Sequence, residues 1–285
     1  MNENVKVVFG LLGGLALFLY GMNSMSDALQ KAAGEKMKKI LAAIAMTALA
    51  ATSVNAATIL VGTDAGYAPY EYKDPQTNEI VGFDIDLIKA IAKATGNEAK
   101  IQNMQFAGII PALQSNMIDV AAAGMTITPE RQKQVTFSDP YYDVGGLIMA
   151  VHAKNVDKYK HMNDLEGKRV CAQIGSTGAL LAKEIKDAKL VAFDQTGEAF
   201  MELKMGGCEA VLVDKIVTEF YLAHKAEKDI VLVPHLYTHK QNGFAMAKGN
   251  EKMHKIINTG LKTIKENGEY DKIYEKWFGK KPEKK

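Results

Sequence analysis

Residues 168–214 read KRVCAQIGSTGALLAKEIKDAKLVAFDQTGEAFMELKMGGCEAVLVD. Three short apolar runs, "RVCAQ", "LVAFD" and "EAVLVD", alternate with "GALLAKEIKD" and "GEAFMELKMGG". Runs of this length bounded by turn residues read as buried strands, and the stretches between them carry helical spacing. Strand–helix–strand–helix–strand is the order of a parallel sheet flanked by helices.

The same alternation appears upstream. "TILVGT" is a strand. In "FDIDLIKAIAKATG", Ile85, Leu87, Ile88 and Ile91 share one helical face, with Asp84 as the expected cap and Gly96 as the stop. "AKIQNMQF" is a strand, "GIIPALQSN" a helix, "DVAAAGMT" a buried strand and "LIMAVHA" another strand. The pattern restarts near residue 165, which gives two units. After the helix "KIVTEFYLAHK" come a return strand "NGFAMAK", the helix "EKMHKIINTGLKTIKENG" and a final "YDKIYEKWFG". Trp277 in that last segment is assigned to packing against the first unit.

The chain has 285 residues, enough for two ordinary domains. A net charge of +2 removes the electrostatic case for nucleic acid as a partner. The six histidines show no metal-ligand spacing, since His235 and His239 fall in an expected loop without an acidic partner. No metal and no cofactor is expected.

The first 56 residues differ from the rest. "MKKILAAIAMTALAATSVNA", Met37 to Ala56, has the basic start, short apolar run and small-residue exit of a secretory signal peptide. Cleavage is expected after Ala56, and no Cys follows it to carry a lipid anchor. Ahead of it, "VKVVFGLLGGLALFLYGM" is a second apolar segment near the lower length of a membrane span. "GLLGGLALFLYGMNSMSDALQKAAGEKMKKIL" resembles the opening of sodium/phosphate cotransporter family proteins. Residues 1–36 are read as foreign to the rest, two reading frames joined at "MKKIL"; a membrane-tethered variant is the alternative. Removing Lys6, Lys31, Lys36, Lys38 and Lys39, and Glu3, Asp27 and Glu35, leaves 30 basic and 30 acidic residues in the exported part.

Cys171 and Cys208 belong to the exported part, where a disulfide is permitted. Parallel strands aligned at their C-terminal ends would offset the two by roughly 10 Å. A bridge does not span that distance, so the geometry favours two buried thiols.

In open α/β sheets, ligands lie outside the C-terminal strand ends. Those ends deliver Asp64 and Tyr67, Phe106, Gly124 and Thr126 with Arg131 just beyond, Gln173 with the "GSTG" loop, and Asp214. Arginine suits a bidentate grip on a carboxylate. The helix start after Ser176 and Thr177 offers N–H groups to the same anion. Asp214 suits an ammonium. This inventory matches the zwitterionic head of a free amino acid. Glu71 is read as a surface residue.

"GTDAGYAPYEY", "VGFDIDLIKAIAK", "FAGIIPALQSNMIDVAAAGMTITPERQKQVTFSDPYY", "AQIGSTGA", "EAVLVD" and "NGEYDKIYEKWFG" together resemble the polar amino-acid family of periplasmic solute-binding proteins serving ABC importers. The resemblance spans Thr58 to Pro282. It implies a type II periplasmic binding fold, two α/β lobes joined by a hinge of two crossover strands near Tyr141–Gly145 and His239–Gly243. Residues 57–141 and 243–285 would form one lobe and 145–238 the other. It implies that Tyr67 and Phe106 sandwich the ligand side chain. Gly124 N–H, Thr126, Arg131, Ser176 and Thr177 would take the carboxylate. The Ala123 and Gly124 carbonyls and Asp214 would take the ammonium, and Asp64 would face the side chain.

The expected partners are a free L-amino acid and the membrane permease of an ABC importer, with the protein monomeric in the periplasm. A basic amino acid ranks slightly ahead of glutamine, because Ile174 stands where glutamine-binding members carry a Lys that orients Asp64. Acidic ligands rank well behind. The competing classes are an enzyme on the same fold, a dehydratase of a prephenate-like acid with Asp64 or Glu71 as general acid, and a ligand-sensing domain. No nucleophile–base pair is evident, so the chain is read as a binder rather than an enzyme.

Overall fold

The computed structural model describes residues 13–14, 16–26, 56–143, 145–237 and 241–282. Residues 1–55 and 56–285 form separate compact units. In the first, residues 16–26 are helical, and Leu17, Phe18, Leu19, Tyr20, Met22 and Met25 are all exposed on that helix. No helix among the described residues is long and apolar enough to cross a membrane. The signal-peptide reading of residues 37–56 and the "MKKIL" join lie outside the described residues, apart from Ala56.

The second unit is two-lobed α/β. One five-stranded sheet has the order Asn97–Asn103, Ala57–Thr63, Val120–Ala121, Ala245–Ala247, Val135–Phe137. The other runs Lys189–Phe193, Arg169–Gln173, Ala210–Asp214, Leu147–His152, Ile230–Leu236. The first three strands of each are parallel, as the alternating pattern implies. Ala245–Ala247 and Leu147–His152 pair antiparallel to their neighbours, so both sheets are mixed rather than all-parallel. In each lobe the antiparallel strand is the one that arrives directly from a crossing. The crossings themselves, Tyr142–Asp143 and Gln241–Asn242, pair with each other as a two-stranded hinge.

Helix Phe83–Ala94 shows how pattern becomes packing. Ile85, Leu87, Ile88 and Ile91 are fully buried, each contributing on the order of 1.5–3 kcal/mol of apolar burial. The helix lies against Glu251–Glu266, where a Cβ on Gly260 would stand 2.7 Å from the Ile91 side chain. A larger residue at 260 would push the two helices apart. The cap expectation fails: Gly82 is the N-cap, and Asp84 turns inward instead of bonding the helix start. Trp277 packs within the first lobe, its Nε1–H donating to Asp86 Oδ2 at 2.8 Å and its ring standing on edge to Tyr72.

Cys171 and Cys208 form a disulfide, contrary to the expectation of two thiols. The register aligns Cys171 with Val211, so the sequence offset of three is as anticipated. Cys208, however, precedes strand Ala210–Asp214. Gly206 adopts a left-handed conformation that ends helix Thr196–Met205, so Cys208 lies in the turn between that helix and the strand, where strand spacing does not apply. The two Cα atoms therefore stand 6.0 Å apart, within ordinary disulfide reach.

Candidate functional site

Residues at the C-terminal ends of the parallel strands meet between the lobes. A narrow cavity is lined by Tyr67, Phe106, Gly124, Thr126 and Arg131 from the first lobe and Gln173, Ser176, Thr177 and Asp214 from the second. These are nine of the eleven residues expected from the sequence. The other two adjoin it: Asp64 accepts from Gln173, and Ala123 precedes Gly124 and is buried.

Arg131 is placed by the short helix Pro129–Gln132, with proline at its start and Thr128 Oγ1 accepting from Arg131 N–H. That turn aims the guanidinium inward. Nη1 donates to Thr126 O at 2.8 Å and Nη2 to Gly175 O at 3.2 Å, and the group lies 5.2 Å from the Phe106 ring centroid. Burial lowers its pKa to about 10, opposed by Asp214, so it stays cationic at neutral pH.

Asp214 ends strand Ala210–Asp214 and occupies the N-cap position of helix Lys215–Lys225, yet makes no cap bond. Its Oδ2 accepts from Tyr67 Oη at 2.8 Å. Burial pushes its pKa up to about 6, while Tyr67 and Arg131 hold it down. Ser176 caps helix Thr177–Glu184, its Oγ accepting from Ala179 N–H. A Cβ on Gly178 would stand 2.0 Å from Leu212 O, so only glycine lets that helix start sit this close to the strand.

Asp64 Oδ2 accepts from Gln173 Nε2 at 2.6 Å and Phe106 N at 3.2 Å, and Oδ1 accepts from Gln195 Nε2 at 2.8 Å. All three donors are neutral, so its charge has no cationic partner among them. Burial raises its pKa.

Three features depart from the sequence reading. Glu71 is fully buried rather than on the surface, and neither carboxyl oxygen has a hydrogen-bond partner. The turn Tyr70–Glu71 is covered by Gly82, whose bare backbone lies so close that a Cβ would stand 2.1 Å from Tyr70 O. Burial, then Asp84, Asp64 and Asp214, push the Glu71 carboxyl well above its ordinary range. Secondly, Gly124 N–H donates to Asp84 Oδ2 at 2.8 Å and is not left for a ligand carboxylate. Asp84 also accepts from Tyr141 Oη, and burial raises it to about 7. Thirdly, Gln195 joins the site without any signal in the sequence, since it stands one residue before a helix like many polar loop residues. Gly124 itself has φ 51°, and a Cβ there would stand 3.0 Å from the Tyr67 ring.

Residues 59–280 match the family described as bacterial extracellular solute-binding proteins, family 3. The chain belongs to that family. An ABC transporter arginine-binding protein of Escherichia coli (strain K12) is 34% identical over 248 residues, covering 85% of this chain and 99% of that protein. The ABC transporter glutamine-binding protein GlnH of Bacillus subtilis (strain 168) is 36% identical over 229 residues, covering 79% of this chain and 82% of that one. An ancestral arginine-binding protein bound to arginine superposes with a TM-score of 0.74 at 45% identity, covering 78% of this chain and 98% of that chain. Family relatives are thus amino-acid-binding proteins of ABC transporters. The first of these matches leaves 15% of the 285 residues, about 43, outside it. The family region runs to residue 280, so most of the unmatched residues precede it.

Proposed function

We propose that this protein captures a free L-amino acid with a cationic side chain, ahead of glutamine, in the periplasm and delivers it to the permease of an ABC importer. The observation that carries the ligand class is Asp64, a buried carboxyl at the site whose three hydrogen-bond donors are all neutral. Beside it the other buried carboxyl and guanidinium side chains among the described residues are Glu71, Asp84, Asp214 and Arg131, carboxyls outnumbering the guanidinium. Buried carboxyls without a counter-charge are costly, and a guanidinium or ammonium relieves that cost where a neutral amide does not. An acidic ligand would add to the excess.

In this reading Arg131, Thr126 and the helix start at Ser176 and Thr177 take the ligand carboxylate. Asp214 and the carbonyls of Ala123 and Gly124 take its ammonium. Tyr67 and Phe106 flank the side chain, with Phe106 adding a cation–π contribution for a guanidinium. Asp64 and Gln173 face its far end. In this reading the protein acts as a binder, which the amino-acid-binding relatives support.

The test is a calorimetric and thermal-shift panel of the twenty amino acids on refolded, ligand-stripped protein. Arginine, lysine or histidine is expected as the tightest ligand. Glutamine in first place overturns the ranking, and glutamate or a branched-chain residue overturns the roles of Glu71 and Asp64. Turnover of prephenate-like acids would establish the enzyme class instead.

A further inference from the structure

Asp64 stands at the far end of the site, and its acceptor capacity is nearly used. Each carboxylate oxygen accepts about two hydrogen bonds. Oδ2 holds both Gln173 and Phe106, whereas Oδ1 holds Gln195 alone. One acceptor place is left, on Oδ1, beside the Gln195 amide.

Gln195 comes from the second lobe and Asp64 from the first. The backbone N–H of Gln195 donates to Glu198 Oε2 at 3.1 Å in a capping box, which fixes the residue at the start of helix Thr196–Met205. Its side chain then crosses to the first lobe over Gly66. A Cβ built on Gly66 would stand 1.7 Å from Gln195 Oε1. Gly66 is not at positive φ, so its backbone does not require glycine; the approach of the glutamine does. Next to this contact Gln105 Nε2 donates to Asp194 Oδ2 at 2.8 Å, a second bond between the lobes.

We infer that Gln195 is a positioning residue that sets ligand selectivity through Asp64, and that the bare backbone of Gly66 is the gap that admits it. By occupying one place on Oδ1, the amide orients the carboxylate and leaves a single acceptor for a side-chain N–H of the ligand. Because it reaches Asp64 from the opposite lobe, the bond forms only in the closed protein and adds to the stability of that state. Without it Asp64 loses a neutral donor, and a neutral amide ligand is then served worse than a cation. The inference rests on the amino-acid-binding reading above.

The experiment titrates arginine and glutamine into the full chain, wild type beside Gln195→Ala, Gly66→Ala and the double variant. A charge-assisted hydrogen bond of this kind corresponds to a change of about tenfold or more. Gln195→Ala is expected to weaken arginine by about that factor and glutamine by more. Gly66→Ala is expected to do the same, because its methyl group displaces the amide. The double variant is expected to be no weaker than Gln195→Ala, since both changes remove one interaction. The ligand-free unfolding midpoint is expected to stay unchanged in all three. Arginine binding by Gln195→Ala within twofold of wild type overturns the inference, as do additive losses in the double variant. A lowered ligand-free midpoint in Gln195→Ala overturns it too, by showing a merely structural role. Failure of the wild type to bind any amino acid sinks the proposed function itself and is seen before any variant is made.

Discussion

Tyr67 Oη donates to Asp214 Oδ2 across 2.8 Å, and the two residues belong to different lobes. Their bond places the anion proposed for a ligand ammonium under a donor from the opposite side of the cleft. Arg131 crosses in the same way to Gly175 O. The groups proposed to hold an amino acid are therefore also groups that hold the lobes together.

Removing either charged member should be severe. Asp214→Ala and Arg131→Ala are each expected to weaken amino-acid binding by several kcal/mol, because each leaves a buried ligand charge without its partner. Calorimetry reads this directly. Binding by either variant within a few-fold of wild type would show that the head group lies elsewhere.

Binding should release protons. Burial raises Asp214 to about 6, and Glu71 and Asp64 are raised as well. A bound cation favours their ionised forms, so affinity for a basic amino acid should fall as pH drops through about 6, by at most tenfold per pH unit per group. Calorimetry at pH 7 in buffers of different ionisation enthalpy should show more proton release for arginine than for glutamine, since Asp214 meets the ammonium of both and only the cationic side chain adds to it.

Stability should respond to Asp84. Its pKa rises from 3.8 in the unfolded reference to about 7 in the fold. A raised carboxyl favours folding below its unfolded pKa, and that contribution is lost as pH climbs from about 4 to about 7. The slope is on the order of 1.4 kcal/mol per pH unit. Asp84→Asn keeps an acceptor for Gly124 N–H and Tyr141 Oη, and chemical denaturation should give a flatter pH profile with no loss of stability at pH 8.

Reduction should also be felt. The Cys171–Cys208 bridge closes a loop with a sequence separation of 37, and such bridges typically contribute about 2–4 kcal/mol. The Cys171→Ala, Cys208→Ala double variant is expected to unfold at lower denaturant. An unchanged midpoint would show that the bridge adds nothing to the core around Phe200 and Leu203.

Export is open to a mass measurement. Intact mass of the periplasmic fraction is expected to match a chain beginning at Ala57. A cell-associated species retaining residues 1–56 would refute both the cleavage and the joined-frame reading, and would favour the tether.

The sequence by itself determined the repeating order of strands and helices, and with it the residues delivered to the strand ends. Ile85, Leu87, Ile88 and Ile91 reveal their helix because helical periodicity is a local property, and nine of eleven expected residues line one cavity because strand ends are local as well. Only the tertiary structure decided what happens between elements. Glu71 looks like a turn residue beside Lys73 and Asp74 until the fold buries it completely, with Gly82 packed against its backbone. Asp84 looks like a cap until Gly124 and Tyr141 arrive from distant segments to claim its carboxylate. Cys171 and Cys208 look too far apart until Cys208 proves to lie in the turn before its strand rather than in it. Gln195 gives no sign at all, because its partner lies 131 residues away on the other lobe. Burial, register and cross-lobe bonds depend on which segments meet, and nothing in the local order of residues specifies that meeting.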